Sequence, residues 1–318
     1  MRIAIFGTGG AGGFFGARLA CSGEDVVFIA RGEHLQAIRQ HGLTIETPEG
    51  EIVVHPAQAT DDAAQAGFVD VVLVGVKSWQ VVEAARAMRP LLGPKTFVVP
   101  LQNGVEAPAQ LASVLGADHV LVGLCGTLSW LTGPGRIRSI GKVHFVKFGE
   151  LDNRASDRVE LLRRAFERAG VKVEVPANVQ QALWEKFLFV VSLGGVGAVT
   201  RAPVGVVRAL PETRGMLEGC MREILAVAHA RRVPMKESIV ADTLAFVDSL
   251  APDGTTSLQR DIVDGKPSEL EAWNGAVVRL GRESGVATPL HEFLYDSLLP
   301  QEMQARGGAM RPHADGGR

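Results

Sequence analysis

The stretch "RIAIFGTGGAGGFFG", residues Arg2–Gly16, runs from a short apolar segment into a glycine-rich turn and then into a helical pattern. The glycines that fit or extend the spacing G-x-G-x-x-G are Gly7, Gly9, Gly12, Gly13 and Gly16. In this motif the first glycine permits a tight turn, the second lets a pyrophosphate approach the backbone, and the third lets helix and strand pack closely. The phosphates rest on the helix N-terminus, where backbone N–H groups and the dipole favour anions. We predict a dinucleotide site at Gly7, Gly9, Gly10 and Gly12, with a purely structural turn as the alternative.

Short β-branched runs alternate with helical patterns through the first half of the chain. The runs that predict buried parallel strands are Arg2–Gly7, Asp25–Arg31, Asp70–Lys77, Thr96–Gly104 and His119–Leu124. The helices predicted between them lie around 11–22, 33–40, 79–90 and 106–115. This alternation indicates an α/β fold with a doubly wound, Rossmann-type parallel sheet, and the glycine-punctuated residues 125–150 predict antiparallel strands at its edge. A helix near 154–169 and the strand Val171–Pro176 complete a predicted domain at 1–176.

The pattern becomes all-helical after Pro176, which predicts a second domain over 177–300. Ser268 and Glu271 have the spacing of a capping box and begin one of its later helices. The segment 301–318 is polar and rich in glycine, so we predict a disordered tail there.

The first helix of this second domain carries a signal at each end. Asn178 followed three residues later by Gln181 is an N-terminal capping arrangement. The pair Gly194 and Gly195 is expected to end the helix, because glycine favours the position just past a helix C-terminus.

Composition narrows the class of protein. The chain has 318 residues, is 46% hydrophobic and carries a formal net charge of -2, so it has no electrostatic reason to bind nucleic acid or an anionic membrane. Its cysteines, Cys21, Cys125 and Cys220, are odd in number and far apart, which indicates reduced thiols. Neither the cysteines nor the eight histidines have metal-ligand spacing, and His34 and His41 look like isolated surface residues. No signal peptide or long apolar span is evident, so we expect a soluble, cytoplasmic protein without a metal.

The end of the second predicted strand indicates which dinucleotide binds. A site that prefers NAD usually has Asp or Glu there to bind the ribose 2′-hydroxyl. Here the strand ends in Ala30, Arg31 and Gly32, and Arg31 offers a planar charged fork suited to a 2′-phosphate. NADP(H) is therefore the predicted cofactor, and an ordinary surface arginine is the alternative.

Most of the chain, roughly residues 1–299, resembles the ketopantoate reductase family (2-dehydropantoate 2-reductases). The motifs that carry the resemblance are "GTGGAGG" at 7–13, "VKSWQ" at 76–80, "LQNG" at 101–104, "WEKF" at 184–187, "TSLQRDI" at 256–262 and "SELEAWNGAVVRLGRESGVATP" at 268–289. The resemblance implies an N-terminal Rossmann domain and a helical C-terminal domain. It also implies NADPH-dependent reduction of a 2-oxo acid in the cleft between them, foremost 2-dehydropantoate to pantoate in the pantothenate and coenzyme A pathway. No motif addresses the oligomeric state, for which we expect a homodimer.

The motifs that match the second domain imply the catalytic residues. Lys186 corresponds to the family's catalytic lysine, Glu269 to its substrate-binding glutamate, and Ser257 to a serine near the substrate carboxylate. Reduction of a ketone needs a proton donor and a positive charge beside the developing alkoxide, and a lysine supplies both. As alternatives, Lys186 could snorkel from a helix edge or pair with Glu185 or another acid. Glu269 could only stabilise a first helical turn, and Ser257 is equally suited to capping a turn.

The motifs that match the first domain imply residues around the cofactor. Asn103 corresponds to an asparagine beside nicotinamide and substrate, Lys77 to a lysine at the edge of the cofactor site, and Arg31 to the arginine that contacts the adenosine phosphate. Asn103 and Lys77 also end predicted strands at their carboxyl edge, where open sheets bind ligands. A simple turn is the alternative for Asn103 and Gly104.

Two positions depart from the family pattern. The family commonly has asparagines four and eight residues after the lysine, and here Val190 and Gly194 stand in those places. We infer a drier site for a different or bulkier 2-oxo acid, and an NADP-binding sensor without catalysis is a second alternative. Short-chain dehydrogenase chemistry is excluded, because the one tyrosine, Tyr295, is followed by Leu299 where that chemistry needs a lysine.

Overall fold

The computed structural model describes residues 1–308, without the side chains of residues 142 and 143. The chain divides into two compact units, one from Met1 to Leu183 and one that begins at Trp184. The sequence predicts a boundary after residue 176, whereas in the structure the division falls inside a helix, Val179–Thr200.

The elements are numbered along the chain. The strands are β1 (Arg2–Phe6), β2 (Asp25–Ile29), β3 (Leu43–Thr47), β4 (Gly50–Val54), β5 (Gln58–Thr60), β6 (Val69–Val74), β7 (Leu92–Pro100), β8 (Leu121–Gly133), β9 (Arg136–Glu150) and β10 (Lys172–Glu174). The helices that begin in the first unit are α1 (Gly10–Cys21), α2 (Gly32–His41), α3 (Ala63–Ala66), α4 (Val81–Ala87), α5 (Ala107–Leu115), α6 (Asp157–Arg168) and α7 (Val179–Thr200). The second unit continues with α8 (Val204–Ala209), α9 (Pro211–Ala230), α10 (Ile239–Ser249), α11 (Ser257–Val263), the π-helical turn Glu271–Gly275, α12 (Ala276–Ser284) and α13 (Pro289–Ala305).

The first sheet has the predicted doubly wound form. Its order is β5-β2-β1-β6-β7, and every neighbouring pair is parallel. The central strands are apolar on both faces because helices cover both sides of such a sheet. The strand order reverses direction at β1, and Phe6 pairs with Val74 at the carboxyl ends of β1 and β6. Ligands of open α/β sheets bind at this kind of switch point.

A second sheet replaces the predicted antiparallel edge. Its order is β10-β9-β3-β4, with β8 paired to β9 in a long antiparallel hairpin. Only one bridge, Val98 to Val120, links the start of the hairpin to β7 among the described residues, so β8 leaves the first sheet instead of extending it. The hairpin then pairs in parallel with β3, a short strand that the sequence does not predict.

Helix α1 lies between the two sheets, and glycines on its buried faces determine how closely it approaches them. A Cβ atom added at Gly16 would lie 2.6 Å from Ile5 Cγ1 in β1. One added at Gly13 would lie 2.2 Å from Ile137 Cδ1 in β9. Carbon atoms in contact lie about 3.5–4.0 Å apart, so neither position accepts a side chain in this arrangement. The glycines that extend the dinucleotide motif therefore let one helix pack on both sheets.

The second unit is helical, as predicted. Helix α9 buries an apolar face whose residues recur at helical spacing, including Leu217, Cys220 and Ile224. Glu223 on the same helix accepts hydrogen bonds from the backbone N–H groups of Leu290 and His291, at 2.8 and 3.0 Å. This carboxylate satisfies N–H groups at the start of α13 that have no partner within their own helix.

The end of α13 differs from the predicted tail. A disordered segment is expected from Gln301, but the helix continues to Ala305. The physical reason is Glu302, whose side chain is 1% exposed and bonded to Ser268. The rest of the predicted tail, 309–318, lies outside the described residues.

Helix α7 is the one described helix long and apolar enough to cross a membrane, judged by length and composition. Within the structure, 72% of an apolar 18-residue stretch of this helix is buried. Such burial is typical of a core helix in a soluble protein.

Candidate active site

The glycine-rich turn brings three backbone segments into contact at the switch point. Gly7 has φ +97°, a conformation that residues with a side chain rarely adopt. A Cβ at Gly12 would lie 2.2 Å from the Gly7 carbonyl oxygen, and one at Gly75, after β6, would lie 2.6 Å from the same atom. Gly9 is the N-cap of α1 and has no capping side chain, so the first N–H groups of the helix face the turn. This backbone cradle fits the pyrophosphate of a dinucleotide.

Gly10, a predicted cofactor residue, also lies against the second sheet. A Cβ there would lie 2.1 Å from the carbonyl oxygen of Ser129 in β8. The second sheet therefore approaches the N-terminus of α1 through backbone atoms, and a residue with a side chain would push the hairpin away.

Arg31 lies at the carboxyl end of β2, on the same sheet edge as the glycine turn. It is the N-cap residue of α2, is exposed, and places Nη1 4.0 Å from Glu83 Oε1. Its guanidinium is thus accessible to a ligand, with one carboxylate beside it. Water screens this exposed pair, so the ion pair costs little to break.

Lys77 and Asn103 follow β6 and β7 and are connected through Gln102. The Gln102 amide donates to the Val74 carbonyl at 2.9 Å and to the Val76 carbonyl at 2.8 Å. These bonds tie the turn that carries Asn103 to the segment that carries Lys77. The sequence does not single out Gln102, because its hydrogen bonds go to backbone carbonyls at the end of the neighbouring strand β6.

His34 is half-buried and bridges two segments, contrary to the prediction of an isolated surface residue. Its Nδ1 accepts the Gly135 N–H at 2.9 Å, and its Nε2 lies 2.8 Å from the Thr8 carbonyl oxygen. These partners require the neutral ring with the proton on Nε2. Burial lowers the pKa of His34, which favours the same neutral form. The His34 bridge, from Thr8 to Gly135, thus connects the glycine turn to the turn between β8 and β9. His41 is exposed, as predicted.

Lys186 lies near the start of the second unit, on the half-buried face of α7. The opposite face, with Trp184, Phe187 and Leu188, is packed in the core. Val190, one turn after Lys186, is also half-buried. The lysine is therefore neither fully exposed nor fully buried.

Gly194 and Gly195 do not end α7, which continues to Thr200; they let other elements approach it. The atoms that an added Cβ would meet are Trp273 Cζ3 at 2.6 Å from position 194, Asn274 Nδ2 at 2.5 Å from position 195 and Gln259 Oε1 at 2.8 Å from position 197. Trp273 and Asn274 belong to the turn that follows Glu269, and Gln259 follows Ser257 in α11. The glycines therefore gather the segments of Glu269 and Ser257 on the helix that carries Lys186.

The capping partners distinguish between the alternatives for Ser257. Thr256 is the N-cap of α11, and its side chain accepts the Gln259 N–H at 3.2 Å. Ser257 is the first helical residue and does not serve as that cap. At the start of α7, Asn178 does cap as predicted, since its side chain accepts the Gln181 N–H at 2.9 Å.

Glu269 is 9% exposed and directly follows Ser268. Its carbonyl oxygen accepts the Trp273 N–H at 3.0 Å, so the residue lies in the first turn of the helical segment. The predicted capping box is replaced by a different arrangement, in which Ser268 Oγ accepts the Leu270 N–H at 3.3 Å. The helix opens with a π-helical turn, because the Gly275 N–H bonds to the Leu270 carbonyl.

The His34 bridge predicts a pH dependence. A proton on Nδ1 would face the Gly135 N–H and break that hydrogen bond. The pKa of His34 is lowered from 6.5 by burial. The bridge is therefore complete above about pH 6.5 and is lost as the pH falls through the lowered pKa. We expect acidification to weaken dinucleotide binding and the unfolding free energy of the wild type, and His34→Gln to reduce this dependence. Titration of cofactor fluorescence and urea unfolding at several pH values measure the two effects. The matched control is His41→Gln on the same helix; an identical pH profile in both variants would contradict the prediction.

Two family models match the chain. "Ketopantoate reductase PanE/ApbA" matches residues 3–153, and "Ketopantoate reductase PanE/ApbA C terminal" matches residues 178–302. A 2-dehydropantoate 2-reductase of Halobacterium salinarum is 33% identical over 300 residues, which cover 93% of this chain and 97% of that protein.

Solved structures agree with the family models. The crystal structure of a PanE/ApbA family ketopantoate reductase from Ralstonia eutropha JMP134 has a TM-score of 0.88 at 30% identity and covers 96% of this chain and 100% of its own. The ternary structure of D-mandelate dehydrogenase with NADH and anilino(oxo)acetate also has a TM-score of 0.88, but at 22% identity that likeness shows the fold alone. With both domain models matched along the chain, the protein belongs to the ketopantoate reductase family and is an oxidoreductase that acts on CH–OH groups.

Proposed function

We propose that the protein uses NADPH to reduce a 2-oxo acid to a 2-hydroxy acid in the cytoplasm, with 2-dehydropantoate, the precursor of pantoate in the pantothenate and coenzyme A pathway, as the first candidate substrate. The observation that carries the proposal is the gathering of two segments on α7. Lys186 lies on this helix, and the turns of Ser257 and Glu269 pack against its glycines.

Each candidate residue has a chemical role in this reaction. NADPH supplies a hydride to the carbonyl carbon of the oxo acid. The Lys186 ammonium stabilises the negative charge that develops on the oxygen and donates the proton. Glu269 accepts hydrogen bonds from a substrate hydroxyl, and Ser257 donates to the substrate carboxylate. Asn103 orients nicotinamide and substrate.

A less polar 2-oxo acid is the alternative substrate, and position 194 favours it. The place of a side chain at 194 is taken by the Trp273 indole, which is 1% exposed. No amide fits there unless the ring moves, so an asparagine is replaced by apolar packing and not by empty space. Val190 adds a second apolar group one turn closer to Lys186. These contacts support a less polar wall of the proposed substrate site. They give no extra space for a bulkier substrate at position 194.

A sensor that binds NADP without turnover is a different class of function. Val190 and Gly194 are compatible with it, since both substitutions remove polar groups. The joint presence of Lys186 and Glu269 favours the enzyme, because binding a dinucleotide alone requires neither residue.

The direct test is a screen of purified protein with NADPH and a panel of 2-oxo acids, followed by Lys186→Ala. We expect turnover of at least one acid and a loss of about 10²–10⁴-fold in kcat in the variant, the usual contribution of a general acid. The affinity for NADPH should stay unchanged. Lys236→Ala, at an exposed lysine of the same unit, is the matched control. Full activity of the Lys186 variant, or no turnover of any acid by the wild type, would sink the proposal.

Cofactor preference depends on Arg31. Removal of its charge-assisted hydrogen bonds in Arg31→Gln should raise KM for NADPH about 10-fold or more, with little change for NADH. Glu83→Gln removes the neighbouring carboxylate and should leave NADPH binding equal or tighter. Steady-state kinetics with both cofactors measure this, and equal losses with NADPH and NADH in Arg31→Gln would refute the assignment.

The packing of Trp273 on Gly194 predicts a coupling in stability. Gly194→Ala forces the indole to move and should destabilise the protein by about 1–3 kcal/mol, the usual cost of overpacking. In a Trp273→Leu background the same change should cost less. Gly215→Ala is the control, because nothing lies within 4 Å of a Cβ there and alanine favours a helix. Urea unfolding of the four combinations tests the coupling, which additive effects would contradict.

A further inference from the structure

The last turns of α13 return to the residue before Glu269. Ser268 donates its backbone N–H to both oxygens of the Glu302 carboxylate, at 3.1 and 3.0 Å, and its Oγ–H to the same group. Arg306 Nη2 donates to the Ser268 carbonyl at 2.9 Å. The Ser268 backbone is therefore held at its N–H and at its carbonyl by two side chains from one helix.

Burial makes these contacts consequential. Ser268 and Glu302 are each 1% exposed, and a carboxylate at that depth is costly unless it is paired and hydrogen-bonded. Arg306 supplies the pairing, since its Nε donates to Glu302 Oε1 at 2.5 Å. Well-packed apolar residues often stabilise a core as much as a buried ion pair does. What apolar residues cannot do is hydrogen-bond the two peptide groups on either side of Ser268.

The peptide that is fixed carries Glu269. One bond after the Ser268 carbonyl, the chain reaches Glu269, whose own carbonyl begins the helical hydrogen bonds through Trp273. The turn that follows packs closely on Gly194 and Gly195, so Glu269 lies between two packed attachments. A change at Ser268 must therefore move the Glu269 backbone.

We propose that Glu302 and Arg306 are positioning residues that place the Glu269 carboxylate for the substrate, acting through the Ser268 backbone. This inference rests on the proposed role of Glu269 in binding the 2-oxo acid. It assigns a function to the last helical turn of the described chain, where the sequence predicts a tail.

The test uses the full-length enzyme with NADPH and 2-dehydropantoate, or with whichever 2-oxo acid of the panel is turned over fastest. Glu302→Gln and Arg306→Met should each raise KM for the oxo acid about 10-fold or more, the effect of losing a hydrogen bond to a charged group. KM for NADPH should not change, because the cofactor residues belong to the other unit. The matched control is Glu292→Gln, also on α13, which breaks an exposed ion pair with Arg282 of α12 and should leave both KM values unchanged.

A double-mutant cycle separates positioning from general stability. If Glu302 acts through Glu269, then Glu302→Gln adds nothing to the KM of a Glu269→Ala enzyme. Three outcomes would overturn the inference while leaving the proposed function intact. The first is that the two substitutions multiply their effects on KM, and the second is an unchanged KM in Glu302→Gln. The third is a loss of kcat at constant KM, which indicates partial unfolding. A wild type without turnover overturns the proposed function, and this inference falls with it.

Discussion

Both units depend on approaches to a glycine backbone that are so close that the glycine position has no room for a side chain. In the first unit the Gly7 carbonyl oxygen meets the backbone at Gly12 and Gly75, which closes the turn at the switch point of the parallel sheet. In the second unit, the stretch Gly194–Gly197 lets the segments of Glu269 and Ser257 reach α7. Protein interiors are packed to crystal-like density, so such contacts have little freedom to relax. Glycine here sets distances between elements, and those distances place the candidate functional groups.

The parts of the fold that the sequence predicts are those with a local signal. Strands β1, β2, β6 and β7 are apolar runs that sheet burial requires, and each lies within a few residues of its predicted range. The second sheet has no such signal, because β3 and β4 are half-exposed and mix charged with apolar residues. Pairing of β3 with β9 joins segments about 90 residues apart in the chain, and no local pattern encodes that contact.

The distinction between local and long-range signals also explains which site residues the sequence identifies. The pair Gly194 and Gly195 is compatible with a helix end or with a close contact, and only Trp273, far along the chain, decides between them. His34 reads as a surface residue because its partners, Thr8 and Gly135, lie on other elements. Lys186 and Glu269 are identified through a family resemblance, since one lysine in an apolar helix and one glutamate after a serine have ordinary structural explanations.

The presence of Lys186 and the replacement of the family's two asparagines by Val190 and Gly194 concern different parts of the proposed reaction. In the proposed reaction, hydride and proton transfer need a cation at the carbonyl, and the role proposed for Lys186 is the same for any 2-oxo acid. Recognition of a substrate hydroxyl needs a polar partner, and a site built to hydrogen-bond that group discriminates more strongly than an apolar pocket does. Val190 and the Trp273 ring over Gly194 are apolar at two positions of the proposed site, so under this proposal they change substrate recognition and not the reacting group.

Loops that carry function are the least constrained part of most folds, and this protein constrains them from a distance. In each case a side chain on another element binds backbone atoms beside a candidate functional residue: His34 next to the glycine turn, Gln102 between two strand ends, and Glu302 before Glu269. Such bonds act on the backbone beside the candidate functional residue. A substitution at the support therefore changes where the functional group stands without changing what it is, so its effect should appear first in the binding of cofactor or substrate.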